Sequence, residues 1–174
     1  MADGTLKVGT ITTSSGSGNI TIGSGVTLLS NVPAFEVYQS SSQTPSSNTW
    51  TKLTFTGETF DTDSAWSDSK FTVPNSQAGT YVFTLDAGGA DSGTGLDIFR
   101  LAIYKNGSLV KFNTCLDTDG TSIQTAFFSI NAVLDLAVGD YIEAYINANF
   151  SGTFTTLANA SGTQTRFSGF KLGA

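Results

Sequence analysis

The feature that most constrains this chain is its period of two. Apolar and polar residues alternate over short runs, and the runs end in clusters of Gly, Asn, Asp or Ser. Within Thr80–Ala87, Tyr81, Phe83 and Leu85 alternate with Thr80, Val82 and Thr84, so the large side chains share one face of an extended strand. Helical spacing, with apolar residues three and four apart, is hard to find. The pattern predicts strands at Ala34–Tyr38, Trp50–Phe55, Lys70–Val73, Thr80–Ala87, Arg100–Lys105, Ser108–Asn113, Thr125–Val133, Tyr141–Asn149, Thr153–Leu157 and Thr165–Leu172. Asn106-Gly107 separates two alternating arms and has the composition of a two-residue type I′ hairpin turn. Many short strands with regular turn signals predict an all-β sandwich or barrel.

A chain of 174 residues is long enough for one domain with a full core, and short for two. Charged residues make up only 13% of it; its polar surface is built from hydroxyls, amides and turns, as in extracellular or virion β-proteins. The net charge of −6 opposes a phosphate backbone, because nucleic-acid affinity rests on Lys and Arg displacing counterions. Nucleic acid is therefore excluded as the main partner. Cys115 is the single cysteine, which leaves no internal disulfide and predicts a small apolar core residue made in a reducing compartment. The first residues, MADGTLKVGT, lack the basic and apolar regions of a signal peptide, and no run approaches the ~20 apolar residues that span a bilayer. Synthesis in a cytoplasm without membrane insertion is expected, and the sequons at Asn19, Asn106, Asn149 and Asn159 carry no weight in that setting.

Histidine is absent, which removes Ser-His-Asp and Cys-His catalysis and the commonest neutral metal ligand. A zinc site is excluded with it. Asp61/Asp63 and Asp117/Asp119 stand two apart, so each pair would share a face on a strand or offer hard oxygen ligands in a loop. DTDGTS at 117–122 lacks the third Asp/Asn and the distal Glu of an EF-hand; the alternatives are a structural turn, a calcium ion at Asp117 and Asp119, or an acid/base pair of the glycosidase kind. The stretch AGGADSGTG (87–95) has neither the Lys nor the helix onset of a phosphate loop. It predicts a long, flexible surface loop, either a connector or a ligand loop, with Asp91 and Asp97 beside Asp117 and Asp119 as its binding candidates. Trp50 and Trp66 offer a carbohydrate-stacking platform or core filling, with core expected for at least one.

Residues 1–32 contain no aromatic side chain. The segment TITTSSGSGNITIGSGVTL reads as short Ile/Thr pieces joined by Gly and Ser, which bury too little apolar surface to offset their ordering entropy alone. A disordered leader is one reading. The other is an anchoring arm whose Ile11, Ile20, Ile22, Val26 and Leu28 add as strands to the edge of another chain.

From Phe55 onward an ordered set of residues resembles the C1q globular-head family. Phe55, Asp61, Trp66 and Phe71 lead to GTYVFTL (79–85), with Leu85 where that family has an aromatic. LAIYKNGSLV (101–110) resembles the family hairpin, VLDLAVGDYIEAYI (133–146) its Leu-x-x-Gly-Asp strand entry, and RFSGFKL (166–172) the closing strand shared with tumour-necrosis-factor-like domains. The resemblance spans about residues 33–174. It implies an all-β, ten-stranded C1q/TNF-like jelly roll that forms a tight homotrimer, binds through its outer loops and has no catalysis or resident cofactor. With aromatic residues in surplus in the second half, Phe128, Ile130, Tyr141, Tyr145 and Phe170 are the expected residues at the three-fold axis. The leader, KVGTITTSSGSGNITIGSGVTLL followed by PAF, resembles the N-termini of small structural proteins of tailed phages. The expected role is thus a virion surface knob, as a capsid decoration or cement protein or a short-fibre tip. The arm would hold it to the major capsid or another virion protein. The competing readings are a receptor- or glycan-binding adhesion module and a glycan hydrolase with paired carboxylates.

Overall fold

The computed structural model describes residues 32–93, 95–116 and 123–173, all within the compact unit Asn31–Ala174. They form two antiparallel sheets packed face to face. In sheet A, β6 (Gly79–Asp91) is the central strand. One edge of β6 pairs along its length with β9 (Thr125–Leu136). Its other edge pairs with β12 (Arg166–Lys171) and then β11 (Phe154–Thr156). Beyond β12 lie β1 (Ala34–Tyr38) and β3 (Gly57–Asp61). In sheet B, β10 (Tyr141–Phe150) pairs with β7 (Leu96–Lys105), which carries β8 (Ser108–Leu116) at the edge. The other side of β10 takes the short β2 (Thr51–Lys52) and β5 (Lys70–Thr72), with β4 (Trp66–Ser67) outermost.

The alternation that predicted strands also sets their inward faces. Tyr81, Phe83, Leu85 and Ala87 of β6 are fully buried, as are Ile142, Ala144, Ile146 and Ala148 of β10. At one end of the core the Phe35 ring stacks on Trp66 and on Phe71, each at 5.0 Å, and meets Phe167 edge-on at 5.4 Å. A second aromatic group lies toward the other end, where Phe99 meets Phe128 edge-on at 5.2 Å and Phe150 stacks on Phe154 at 5.4 Å. Each buried phenylalanine contributes about 1.5–3 kcal/mol by leaving water, and such ring pairs add about 0.5–1.5 kcal/mol each. Trp66 is thus a core residue. Trp50 is not part of the core.

Twelve strands stand among the described residues, against the ten that the resemblance implies. Gly57–Asp61 and Trp66–Ser67 were not expected. Neither shows the alternation: the first is exposed over Glu58–Phe60, and the second is two residues long. The expected strand Trp50–Phe55 is regular only over Thr51–Lys52. The Asn106-Gly107 turn is confirmed, with both residues at positive φ (51° and 75°) between the paired residues Lys105 and Ser108.

The larger departure is at AGGADSGTG. Instead of a long loop, β6 runs through Asp91 and β7 starts at Leu96. The glycines serve packing. A Cβ on Gly89 would lie inside the Phe154 ring, and one on Gly88 would press on the Phe127 ring. Only a residue without a side chain lets the backbone run flat beneath both aromatics.

Candidate functional site

Asp91, expected as a ligand-loop residue, holds turns together. Its carboxylate is 4% exposed and accepts three backbone N–H bonds at 3.1 Å: Gly93 and Gly95 on Oδ2, Gly152 on Oδ1. It ties the β6–β7 turn to the β10–β11 turn. Asp97 is exposed at the start of β7. Asp117 and Asp119, with the calcium they were expected to hold, lie outside the described residues, as do Ile11, Ile20, Ile22, Val26 and Leu28.

The five residues expected at a three-fold axis do not share a surface. Ile130 is 3% exposed in the core of its own chain, and Phe128 points the same way, packed against Phe99. Both occupy the inward positions of β9, since Thr125, Phe127, Ser129 and Asn131 are its exposed ones. Tyr141 and Tyr145 lie on the outer face of sheet B, opposite in phase to Ile142 and Ile146. Only Phe170 is on the outer face of sheet A, 48% exposed. Cys115, expected in the core, is half-buried and packed against it at the open edge between β8 and β9.

The outer face of sheet A is banded by register. One row crosses the sheet as Val133, Val82, Phe170 and Ala34, and Val133 is 64% exposed. The next row is polar: Asn131, Thr84, Ser168 and Glu36, closing on the exposed Phe60. Thr84 and Asn131 are hydrogen-bonded at 2.7 Å. The third row is charged. There Asp86 accepts from the Ser129 hydroxyl, and Arg166 pairs with Glu36 of the row above. The β9 edge adds Phe127, beside a cleft of about 450 Å³ lined by Asn113, Cys115, Ile123 and Phe128.

The outer face of sheet B is aromatic. Tyr104 and Tyr145 lie with ring centroids 4.1 Å apart, and Trp50 meets Tyr104 edge-on at 6.3 Å. Burial raises the phenol pKa of both tyrosines, with Glu143, Tyr104 and Tyr141 nearby raising that of Tyr145 further. Lys52 pairs with the largely buried Glu143 at 2.7 Å. Beside this stack is a groove of about 290 Å³ lined by Trp50, Arg100, Leu109, Phe112 and Thr114. These residues were missed as a group. The alternation over 141–149 did place the two tyrosines opposite the core. The neighbours of β10 across the sheet were what could not be read.

The motif VLDLAVGD is a brace. Asp140 accepts from the Ala137 N–H at 2.9 Å and the Asn106 side-chain amide at 2.7 Å, and pairs with Lys105 at 2.7 Å. These bonds, that to Lys105 first, lower its pKa to about 2. The Asn106 carbonyl oxygen in turn accepts from the Tyr141 N–H, so the β7–β8 hairpin is locked to the start of β10.

The sequence has no histidine and one cysteine, and Asp61 is taken up in a turn, accepting the N–H groups of Trp66 and Asp63. Among the described residues no three metal-ligating acidic, thiol or imidazole side chains are gathered.

No family model matches the sequence, and no curated protein sequence matches it. Solved structures do match its shape. The globular domain of zebrafish complement 1qA protein is 21% identical, aligned over 81% of this chain and 98% of its own, with a TM-score of 0.54. Eiger TNF from S. frugiperda is 11% identical over 83% and 94%, with a TM-score of 0.62. Murine APRIL at pH 5.0 is 13% identical over 81% and 99%, with a TM-score of 0.60. The fold is a C1q/TNF-like all-β jelly roll.

Proposed function

We propose that this jelly roll is the subunit of a homotrimeric, non-enzymatic knob on a virion surface, serving as a capsid decoration or cement protein or as the tip of a short fibre. The observation that carries the trimer is the apolar row on sheet A. Val133 and Phe170 project from a sheet whose other face is already packed, with Val82 between them and Ala34 beyond Phe170. Phe60, Phe127 and Leu172 are also about half exposed. Contiguous exposed apolar surface of this kind marks an interaction site. The row is banded by polar and charged rows that would fix the register of a contact. The complementary surface is the open edge between β8 and β9, where the cleft by Cys115 and Phe127 can take side chains from a neighbouring subunit. A contact between two different surfaces closes into a ring when its rotation allows.

The virion setting rests on the character of residues 1–32 and on a surface poor in charge. The arm is proposed to reach the major capsid or another virion protein by strand addition, which would satisfy the backbone groups of its short Ile/Thr pieces. Sedimentation at micromolar concentration is expected to show a trimer for the full chain, and a monomer for the double variant Val133→Asp/Phe170→Asp. A stable monomer of the unmodified chain would defeat the assembly. Copies per purified particle distinguish head from tail, hundreds placing the knob on the capsid and a few to tens on a fibre.

A further inference from the structure

The groove on sheet B lies on the opposite sheet from the apolar row proposed as a subunit contact, and is unlike it chemically. Register places its parts. Asn147 of β10, Arg100 of β7 and Thr114 of β8 form one row across the outer face, and Tyr145, Ala102 and Phe112 form the next. Trp50 immediately precedes β2, whose Lys52 is opposite Tyr145. Ala102, between Tyr145 and Phe112 in the second row, is small and fully buried under its neighbours. Trp50 meets Tyr104 edge-on, and the groove is lined by Trp50 and Arg100 together with Leu109, Phe112 and Thr114 of β8.

Its polar groups are held in place. Arg100 Nη1 donates to Asn147 Oδ1 at 3.3 Å, and Asn147 is 2% exposed. Arg100 takes part in none of the ion pairs among the described residues. The nearby acid, Glu143, is neutralised by Lys52 instead. Among the described residues Arg100 is the one charged side chain lining the groove, in a chain whose net charge is −6. A planar guanidinium with donors to spare, beside an indole face, suits a ligand with an apolar ring face and a carboxylate at its rim. Carboxylate recognition by Arg is favoured by its two-pronged geometry. The volume, about 290 Å³, lies just below the range for drug-sized ligand sites, roughly 300–1,000 Å³. It holds a ring or two, not a folded partner.

We propose that this groove is a binding site for an acidic saccharide, with one pyranose ring against Trp50 and its carboxylate on Arg100. The C–H face of the sugar covers the indole, and Thr114 offers a hydroxyl to the ring oxygens. The site is complete within one subunit and does not depend on the trimer, which would only multiply it and raise avidity.

The test titrates the full chain with oligomers of a hexuronic acid and with a sialylated trisaccharide, each beside its neutral counterpart, following tryptophan fluorescence and saturation-transfer NMR. At least one acidic probe is expected to bind saturably by millimolar concentration, about tenfold or more tighter than its neutral counterpart. Trp50→Ala is expected to remove binding. Arg100→Gln is expected to reduce the acidic probe to the level of the neutral one, and Arg100→Lys to restore part of the difference. Melting curves of the variants establish that each is folded. Failure of every acidic probe, equal binding of the neutral forms, or binding unchanged by Trp50→Ala and Arg100→Gln would overturn the assignment. A chain that sediments as a monomer and still binds the acidic probe defeats the trimer while supporting this site.

Discussion

Replacing Asp91 by alanine tests whether the turns at this end of the sandwich are organised by one buried carboxylate. Its two oxygens accept three backbone N–H groups, from Gly93, Gly95 and Gly152, each at 3.1 Å. Hydrogen bonds to a charged group contribute about 1.5–3 kcal/mol each. The donors lie in turns, where water can replace part of that once the carboxylate is gone, so about 1 kcal/mol per bond is the better figure. Asp91→Ala should then cost ~3 kcal/mol, against a total of about 5–15 kcal/mol for a domain. At roughly 2–4 °C per kcal/mol for a chain of this size, the melting temperature should fall by ~6–12 °C. Asp91→Asn keeps one acceptor oxygen and should cost about half as much. Urea unfolding at one fixed protein concentration gives the energies, and amide exchange at Gly93, Gly95 and Gly152 should speed up in the alanine variant. A loss below about 1 kcal/mol, or unchanged exchange at those glycines, would show that the turns hold their shape without the carboxylate and refute the reasoning.

Acid should loosen the hairpin brace. Asp140 has its pKa lowered to about 2 by Lys105, Asn106 and Ala137, so its contribution is present above the unfolded-state value near 4 and lost as pH falls from there through about 2; urea midpoints across that window should decline, and Asp140→Asn should flatten the decline. Tyr81, raised to about 12 by burial and then by Asp63, works the other way, its contribution being complete below about pH 10 and lost as pH rises toward 12, which alkaline unfolding of Tyr81→Phe would check. Between about pH 6 and 8 stability and assembly should stay flat because there is no histidine to titrate; a sharp transition there at constant salt would contradict this. Gly89→Ala should destabilise by at least the ~1–3 kcal/mol of overpacking, since the new methyl would have to displace the Phe154 ring, and Phe154→Leu in the same chain should recover part of that loss. Deleting residues 1–32 should leave a soluble trimer with unchanged melting temperature that no longer joins virions; normal occupancy by the truncated chain would place attachment in the jelly roll.

The sequence by itself determined the class of fold, most strand positions and the inward faces. A period of two is a local property, and it holds whichever strand lies next door. Tyr81, Phe83 and Leu85 had to share a face, and so did Ile142, Ala144 and Ile146. The Asn106-Gly107 turn was equally legible, because two successive positive φ values select those residue types. Tertiary structure decided what each face and each glycine is for. Gly88 and Gly89 look like loop residues until the Phe127 and Phe154 rings are placed over them by β9 and β11, distant in sequence. Asp91 looks like a surface acid until Gly152 comes to meet it. Phe128 and Ile130 were assigned outward because aromatic and aliphatic surplus alone does not say which of two alternating sets points to the core; the phase is fixed by the opposing sheet. The groove beside Trp50 brings β7 and β8 together with the residue that precedes β2, and register between distant strands is set by the packing of the whole sandwich.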